Sequence, residues 1–470
     1  MSENKVKSAL KDMDRGVYDI KNEFTYSHKT AQGLNEQIVR EISAKKNEPD
    51  WVLQRRLKSL KLFYEIPNPT WGPDLSELDL DRIIAYVRPK TGLVKSWDDV
   101  PEDIRNTFDR LGIPEAEQTS LAGVGAQYDS EEVYHSIKEE LKQQGVIYTD
   151  FSSAIREYPE LMQKYFQVAI PPTLHKYAAL HGAVFSGGSF VYVPKGVKVD
   201  IPLQSYYRLN APGAGQFEHT MLVVDDGGYC QFIEGCSAPK YDETNLHAGS
   251  VEIYVGKGAT LRFSTIENWS RNMYNLNSKR AIVQEDGRME WISGSFGSKV
   301  SMLYPASVLI GKNASTEFTT ISYAGEGQNL DTGAQVFHLA ENTTSNMNSK
   351  SITSGNGIST FRSLVKASSG AAGSKSSVNC ESLMIDNRSR SDTIPVMDIQ
   401  TDKIDIGHEA KIGKIDESLI YYLESRGITE AEARGMIVRG FAEPIAKELP
   451  VEYAVEMNNL INIELEGANG

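Results

Sequence analysis

A strand, a tight turn and a second strand follow one another in Val251-Glu-Ile-Tyr-Val-Gly-Lys-Gly-Ala-Thr-Leu-Arg-Phe263. Apolar side chains occupy every second position on either side of the glycines, and this period of two is typical of a half-buried strand. The glycines supply the positive φ that a tight turn needs. Because the same pattern recurs between about residues 182 and 412 with almost no helical periodicity, we predict a core built mainly from β-strands.

Tight turns recur along this region at a nearly constant interval. The residues that close them are Gly196, Gly227, Gly258, Gly287, Asn313, Asn342, Gly370 and Asn387, and only the last step is much shorter than the others. A period of about 20 to 50 residues is typical of solenoids and propellers, and a propeller blade needs about 40 to 45, which is longer than these steps. We therefore predict a β-helix, in which each coil buries its apolar face on the next. A β-sandwich stays open as the alternative, since it also uses regular short strands.

Helical patterns flank the strands on both sides. Residues 1–170 are predicted to be mainly helical, and a capping box that starts at Asp129 predicts one helix over residues 129–143. Residues 171–412 form the β-helix core, and residues 413–470 return to amphipathic helices. This closing segment would either cap the open strand edges of the solenoid or dock a partner, and the pattern alone leaves both interpretations open.

Composition and charge indicate a soluble protein. The chain has 470 residues and a net charge of −14, and no Lys/Arg-rich stripe indicates nucleic acid as a partner. Its first residues are polar, and no apolar run approaches the ~18 residues of a membrane-spanning helix, so we expect a cytoplasmic protein. The three cysteines, Cys230, Cys236 and Cys380, are too few for a disulfide framework, and we expect free thiols.

Carbohydrate-active enzymes are one class that uses β-helices. They need a pair of carboxylates placed for acid–base work. Asp225 and Asp226 form such a pair in sequence, but they lie in one of the repeating turns, where acidic residues are common. The sequence contains no phosphate-binding loop and no nucleophile elbow, which argues against nucleotide hydrolysis or acyl transfer by this chain. A polysaccharide lyase or hydrolase and a purely structural solenoid stay open as alternatives.

A cysteine and a histidine–glutamate pair are one coil apart. The separation between Cys380 and His408 is close to one period of the turns, and Glu409 follows directly. Cys380 could therefore lie beside His408 or Glu409 on the next coil. A thiolate, an imidazole and a carboxylate can hold iron without closing its coordination. A lone cysteine in a strand is more often a small buried apolar residue, so geometry must decide between the two interpretations.

Four motifs resemble those of the SufB family, the scaffold subunits of the SUF system for iron–sulfur cluster assembly. They are Gly123-Val-Gly-Ala-Gln-Tyr-Asp-Ser-Glu-Glu-Val-Tyr-His135, Glu234-Gly-Cys-Ser-Ala-Pro239, Val378-Asn-Cys-Glu-Ser-Leu383 and His408-Glu409-Ala410. The resemblance covers essentially the whole chain. The first motif points to SufB rather than to its paralogue SufD.

The resemblance implies an architecture and a set of partners. It implies a right-handed parallel β-helix between a helical N-terminal domain and a helical C-terminal domain. In the family the C-terminal helices dock the ATPase SufC, and the β-helix pairs with that of SufD or of a second SufB. A cysteine desulfurase with its sulfur-transfer protein delivers sulfur. The resemblance thus implies a non-catalytic scaffold, with ATP hydrolysis in SufC.

The resemblance also implies roles for individual residues. Cys380 matches the cysteine of the cluster site, Glu409 with His408 beside it matches its acidic partner, and Cys236 matches a proposed sulfur acceptor. Cys230 matches no motif and is interpreted as structural. The implied cargo is a transient [4Fe–4S] or [2Fe–2S] cluster, with reduced flavin as a further possible cofactor. Since a cluster usually takes four thiolates and the chain has three cysteines, we expect mixed ligands or ligands from another chain. Sulfur reception needs a thiolate, so we expect Cys236 to become accessible in some state.

Overall fold

The structure is a computed structural model that describes residues 19–22, 26–94, 96–110, 121–449 and 451–468. It is mainly β, with helical regions before and after the strands, and the bounds of its elements are as follows.

The strands are β1 (Tyr26–Lys29), β2 (Val87–Pro89), β3 (Gly123–Tyr128), β4 (Glu131–Ile137), β5 (Ile147–Asp150), β6 (Ser189–Val193), β7 (Lys198–Arg208), β8 (Gly215–Gln216), β9 (His219–Val224), β10 (Tyr229–Ser237), β11 (Asn245–His247), β12 (Ser250–Val255), β13 (Thr260–Asn268), β14 (Met273–Asn275), β15 (Ser278–Val283), β16 (Arg288–Phe296), β17 (Val300–Leu303), β18 (Ala306–Leu309), β19 (Ser315–Ala324), β20 (Asn329–His338), β21 (Thr344–Thr353), β22 (Ile358–Ala367), β23 (Ser374–Met384), β24 (Arg390–Ile399) and β25 (Ile404–Lys414). The helices are α1 (Glu36–Lys45), α2 (Asp50–Glu65), α3 (Glu102–Arg110), α4 (Glu139–Gln143), α5 (Phe151–Glu157), α6 (Pro159–Tyr165), α7 (Lys176–Val184), α8 (Glu417–Glu424), α9 (Glu430–Ala446) and α10 (Val451–Ala468), with 3₁₀ helices at Leu80–Arg82 and Trp97–Asp99.

Two long sheets form the walls of a solenoid of about eight coils. The strand order of sheet 1 is β4-β3-β7-β10-β13-β16-β19-β21-β23-β25. Sheet 2 contains β5-β6-β9-β12-β15-β18-β20, continued by β22 and β24, and the short strands β8, β11, β14 and β17 join it through β20. Neighbours within the solenoid are parallel and one coil apart. The predicted parallel β-helix is confirmed, and a sandwich of antiparallel sheets is not what the chain forms.

Aromatic side chains stack in register inside the first coils. Phe232, Phe263, Trp291 and Phe318 lie opposite one another on successive strands of sheet 1. Their ring centroids are 6.0, 5.5 and 6.2 Å apart along the row. Each such pair adds about 0.5 to 1.5 kcal/mol beyond the burial of its area. The row therefore stabilises the register between coils as well as the core.

The turns between sheet 2 and sheet 1 also stack. Their left-handed residues recur at a nearly constant step and are Gly196, Gly227, Gly258, Asp286, Asn313, Asn342 and Gly373. The N–H groups donate to carbonyls of the next turn, as from Gly258 to Glu285 at 2.8 Å.

Three of the predicted turn residues are wrong. Asp286, with φ of 54°, takes the left-handed position predicted for Gly287, and Gly373, with φ of 76°, takes the one predicted for Gly370. Asn387 lies in the connection from sheet 1 to sheet 2, at the other edge of the solenoid, which explains the short last step.

The helix predicted over residues 129–143 is also wrong. Residues 131–137 form strand β4, which pairs with β3 and adds two strands to sheet 1, and only the short helix α4 follows. The Asp129 carboxylate does not cap a helix. It accepts hydrogen bonds from the backbone N–H groups of Asn210 and Ala211, at 2.7 and 2.8 Å, from a turn conformation with φ of 54°. Asp129, which the local pattern predicts as a helix cap, thus makes a long-range contact that the local pattern does not predict.

The helical regions pack along the solenoid. The N-terminal helices α1, α2 and α5 to α7 cover the outer face of sheet 2, whereas α3 joins the C-terminal helices α8 to α10 on the outer face of sheet 1. Gln204 of β7 donates to the hydroxyl of Tyr453 at 2.7 Å, and Arg271 pairs with Glu464 at 2.7 Å. The C-terminal segment therefore lies along the side of the solenoid, and β24 and β25 remain the last strands of the two sheets. Among the described helices, none is both long and apolar enough to span a membrane.

We expect Gly258→Ala to lower the free energy of unfolding by about 1 to 2 kcal/mol, because Gly258 has a φ of +61° and an L-residue is strained there. Space is not the cause, since a Cβ at Gly258 would meet no described atom within 4 Å. Gly413→Ala is the matched control, at an equally open position without positive φ, and should stay within about 0.5 kcal/mol of the wild type. Urea unfolding of the two variants measures the difference, and equal losses would contradict the turn argument.

Candidate functional site

Cys380 and His408 meet at the last coil of the solenoid. Cys380 lies on β23, and His408 lies on β25, out of direct register with it, since Val378 is the residue opposite His408. The Cys380 Sγ lies 3.7 Å from the His408 Nε2. The one-period spacing of the sequence therefore places a thiol beside an imidazole, inside the solenoid.

The position of His408 follows from the core packing. The row that begins with the stacked aromatic rings continues from Phe318 through Met347 and Val378 to His408. An imidazole thus stands where the preceding coils place an apolar side chain. Cys380 belongs to the same buried cluster and is 5% exposed.

The Cys380 thiol is neutral at physiological pH in this arrangement. Burial raises its pKa to about 12. The thiol therefore has to release its proton as a metal ion binds, since the thiolate is the form that acts as a ligand.

Glu409 lies on the opposite face of β25 from His408, because successive strand residues alternate. Its carboxylate is largely exposed and pairs with Lys411 at 3.1 Å. Of the two neighbours that the sequence proposes for Cys380, the structure brings His408 to the thiol and leaves Glu409 outside.

Cys236 lies near the end of β10, within the solenoid and 1% exposed. Burial and the carboxylates of Glu234, Glu218 and Glu267 raise the pKa of its thiol well above the ordinary value, while Lys279 opposes them. In this conformation Cys236 is neither accessible nor ionised.

A network of buried charges lies beside Cys236. The Lys279 ammonium is 3.2 Å from both Glu234 Oε1 and Glu267 Oε1. A second pair joins His247 Nε2 to Glu218 Oε1 at 2.5 Å. Burial opposes the Lys279 ammonium, but the two carboxylates outweigh it and raise its pKa. A cation fixed between carboxylates is thus available to a nearby anionic sulfur.

Sequence reasoning missed this network. Lys279 and Glu267 occupy strand positions at which the solenoid faces inward, yet only Glu234 falls within a quoted motif. Both residues could have been identified as charged residues at inward-facing positions of predicted strands. Such residues stand out because buried charges are rare unless they are paired.

Two rows of polar side chains run along the inside of sheet 1 from Cys236 to Cys380. One row, read through the strand register, is Glu234, Thr265, Ser293, Thr320, Ser349 and Cys380. The adjacent row is Cys236, Glu267, Ser295, Ser322, Ser351 and Ser382. Hydroxyls touch along both, at 3.1 Å between Thr320 and Ser349 and 2.8 Å between Ser351 and Ser382. The two cysteines are five strand spacings apart, about 24 Å at about 4.8 Å per strand.

Cys230 lies in the apolar interior, fully buried. Burial alone raises its pKa to about 12. It has the environment of a core residue. Within the described part of the chain, no three histidine, cysteine or acidic side chains are grouped as a metal site.

Comparison with known proteins gives consistent matches along the chain. Residues 207–441 match the family described as "SUF system FeS cluster assembly, SufBD core domain", and residues 103–205 match "SufBD protein N-terminal region". An iron–sulfur cluster assembly SufBD family protein of Staphylococcus aureus strain MRSA252 is 52% identical over 442 residues, covering 94% of this chain and 95% of that protein. One from Staphylococcus saprophyticus is 50% identical over 459 residues, covering 98% and 99%.

We expect all three thiols of the isolated, folded chain to react slowly with iodoacetamide. A thiol with a pKa of about 12 is ionised to only about one part in ten thousand at pH 8, so alkylation should be about a thousandfold slower than for an ordinary cysteine. Peptide mapping by mass spectrometry measures the rate at each cysteine, and unfolding in urea should release all three. Rapid labelling of Cys236 in the folded chain would contradict this prediction, because it would show that Cys236 is not buried in the main conformation.

Proposed function

Because this chain belongs to the SufBD family of iron–sulfur cluster assembly proteins, we propose that it is the SufB-type scaffold on which a transient cluster is assembled and passed to acceptor proteins. The proposal of SufB rather than SufD rests on the motif at residues 123–135. The proposed site of action is the cytoplasm.

The contact between Cys380 and His408 carries the proposal. For a tetrahedral site with metal–sulfur and metal–nitrogen bonds of about 2.3 and 2.05 Å, the two ligand atoms lie about 3.6 Å apart. The Sγ and Nε2 atoms are 3.7 Å apart. The pair can therefore take one iron without rearrangement of the strands, with the thiol proton released as the metal binds.

The remaining ligands would come from sulfide and from a second chain. Glu409 lies on the outer face of the same strand, where it can reach a metal shared with a partner more readily than one held inside. An open coordination shell suits a cluster that has to leave, whereas an electron-transfer protein closes the shell with four thiolates.

Cys236 is the proposed sulfur acceptor. A cysteine desulfurase with its sulfur-transfer protein would deliver the sulfur to it. Lys279 would stabilise the thiolate or persulfide form against the surrounding carboxylates. The two rows of hydroxyl and carboxylate side chains offer a polar path inside the solenoid from Cys236 to the Cys380–His408 pair.

Opening of this interior is the role proposed for the ATPase SufC. Exposed apolar side chains on α8 and α9 form the proposed binding surface for SufC. They are Leu419, Tyr421, Tyr422 and Met436. The same helices cover the outer face of sheet 1, so a displacement there acts directly on the strands that carry both cysteines. The last strands β24 and β25 are the proposed contact with SufD or with a second SufB, since their edges are available for pairing.

The carbohydrate-active enzyme is the less favoured interpretation. Asp225 and Asp226 lie in a turn, where Asp226 O accepts the N–H of Gly196 at 2.8 Å and the Asp225 carboxylate accepts from the N–H of Asp226. Both residues therefore take part in the hydrogen bonds that hold the stacked turns together.

We expect Cys380→Ala to abolish most cluster formation. After anaerobic reconstitution with iron and sulfide, together with co-expressed partners, the variant should show at most about a tenth of the wild-type visible absorbance, because the thiolate ligand is lost. Cys230→Ala is the matched control, a buried cysteine of the same solenoid, and should keep the cluster. A normal yield in Cys380→Ala would refute the proposed site.

His408→Ala and Glu409→Gln should separate the two faces of β25. His408→Ala should weaken binding of one ferrous ion to the isolated chain by about tenfold or more, because it removes one of the two proposed ligands and even the loss of a group that only supports a ligand typically costs about 10- to 100-fold. Glu409→Gln should leave that affinity unchanged and reduce cluster yield only in the complex with partners. Anaerobic iron titration and reconstitution measure the two effects, and equal loss of ferrous iron in both variants would contradict the assignment.

A further inference from the structure

A cavity of about 510 Å³ lies against the outer face of sheet 2, and neither Cys236 nor Cys380 lines it. The segment after α2, residues 66–71, forms one wall, the start of α7 forms a second, and the outer face of sheet 2 forms the floor. We call it the lateral pocket. Its volume lies within the range of about 300 to 1,000 Å³ that small-molecule sites occupy.

Aromatic rings form one side of the lateral pocket. The Trp71 and Tyr304 rings lie 5.5 Å apart at 53°. Further contacts fix both rings. Arg362 lies 4.9 Å from the Trp71 ring and pairs with Asp331 at 2.7 Å. The Tyr304 hydroxyl donates a hydrogen bond to Asp331 at 2.8 Å. Trp71 is nevertheless 48% exposed. A fixed and exposed indole at a pocket mouth is a surface on which a planar ring can stack.

Polar groups without partners lie on the floor. Asn277 is 5% exposed, and neither atom of its amide has a hydrogen-bond partner among the described residues. The Arg280 Nε is shielded from solvent and also meets no acceptor in the described part of the chain, while its Nη1 makes only a long contact of 3.4 Å to Ala169 O. Buried polar groups are normally hydrogen-bonded, so an unpaired amide and guanidinium nitrogen in one pocket point to a missing acceptor.

The charge of the lining indicates the sign of that ligand. The described lining residues include Lys176, Lys279 and Arg280 but no aspartate or glutamate, on a chain whose net charge is −14. The Lys279 ammonium is already paired with Glu234 and Glu267. Lys176 donates to the carbonyls of Phe63 and Ile66. Glu252, the acidic group that acts on Arg280, is held by the N–H groups of Gln167 and Ile170. Because both Glu252 oxygens are engaged by backbone N–H groups, Glu252 offsets the Arg280 charge only in part.

We propose that the lateral pocket binds a small planar aromatic anion. Its ring would stack on Trp71 and Tyr304, and its anionic group would accept hydrogen bonds from Arg280 and from the Asn277 amide. Apolar residues complete the fit around the ring: Ile66, Leu174, Leu276 and Met302. The residues proposed to hold the anion are not among those proposed for cluster assembly or for the partner surfaces, although Lys279 of the Cys236 network also lines the pocket.

The probe for the test is 8-anilinonaphthalene-1-sulfonate, an anion with a planar naphthalene ring whose fluorescence rises on binding. The folded full-length chain should bind it at one saturable site. Arg280→Gln and Trp71→Ala should each weaken binding by about tenfold or more, since each removes a principal contact. The neutral analogue N-phenyl-1-naphthylamine should bind the wild type less tightly and should be insensitive to Arg280→Gln.

A second ring–cation pair supplies the matched control. Arg426 lies 5.1 Å from the Tyr422 ring on the exposed C-terminal helices, outside the lateral pocket. Tyr422→Ala and Arg426→Gln should leave probe binding unchanged. Thermal unfolding must show that the variants are folded; if Arg280→Gln is not, Arg280→Lys, which keeps the charge without the planar fork, should weaken binding severalfold.

The proposal is overturned if the Arg280 and Trp71 variants are folded and bind the anionic probe as the wild type does, or if the neutral analogue binds equally well. Anaerobic cluster reconstitution on the same variants keeps the result separate from the scaffold function. Arg280→Gln should form a normal cluster whichever way the probe experiment turns out.

Discussion

The parallel, in-register stacking of coils is the constraint on which the rest of the structure depends. A residue and its equivalent one coil later lie on the same face, about 4.8 Å apart. This rule aligns the aromatic rings, the left-handed turns and the inner hydroxyls, and it places His408 one row beside Cys380. Because side chains alternate between faces, a slip of one residue in β25 would turn His408 outward and Glu409 inward. The contact therefore depends on every coil that sets the register before it.

The inside of the solenoid is divided between two kinds of packing. Apolar and aromatic side chains fill one side, and the polar rows with Lys279 and its carboxylates fill the other. Paired buried charges contribute little net stability compared with apolar side chains of similar size. Their presence in a fold that has ample apolar core elsewhere is therefore not explained by stability, and it supports the proposed role of Cys236. The same burial keeps that thiol neutral, so access to it requires a change of conformation.

The sequence predicts the features that depend on periodicity. It does not predict features that are set by contacts between distant segments of the chain. The coil repeat and the approach of Cys380 to His408 both follow from a spacing near one period. At residues 131–137 a strand stands where Asp129 and Glu132 mimic a capping box, because Asp129 binds the backbone at Asn210 instead. Asp286 replaces the expected glycine because aspartate tolerates the left-handed region when a turn ladder holds it. The lateral pocket could not be predicted, because its walls come from three separate parts of the chain.

The position of the Cys380–His408 pair in the last coil has a consequence for assembly. The strands β24 and β25 end the two sheets, and Val396, Met397 and Ile412 on them are between 42% and 46% exposed. Free strand edges with apolar side chains favour pairing with another chain. The residues that would first meet such a chain lie within one strand of the thiol–imidazole pair, whereas Cys236 lies about 24 Å deeper. On the proposed function, a partner that covers these edges would also be placed to complete the metal ligands, so that closing the solenoid and completing the proposed site would be a single event.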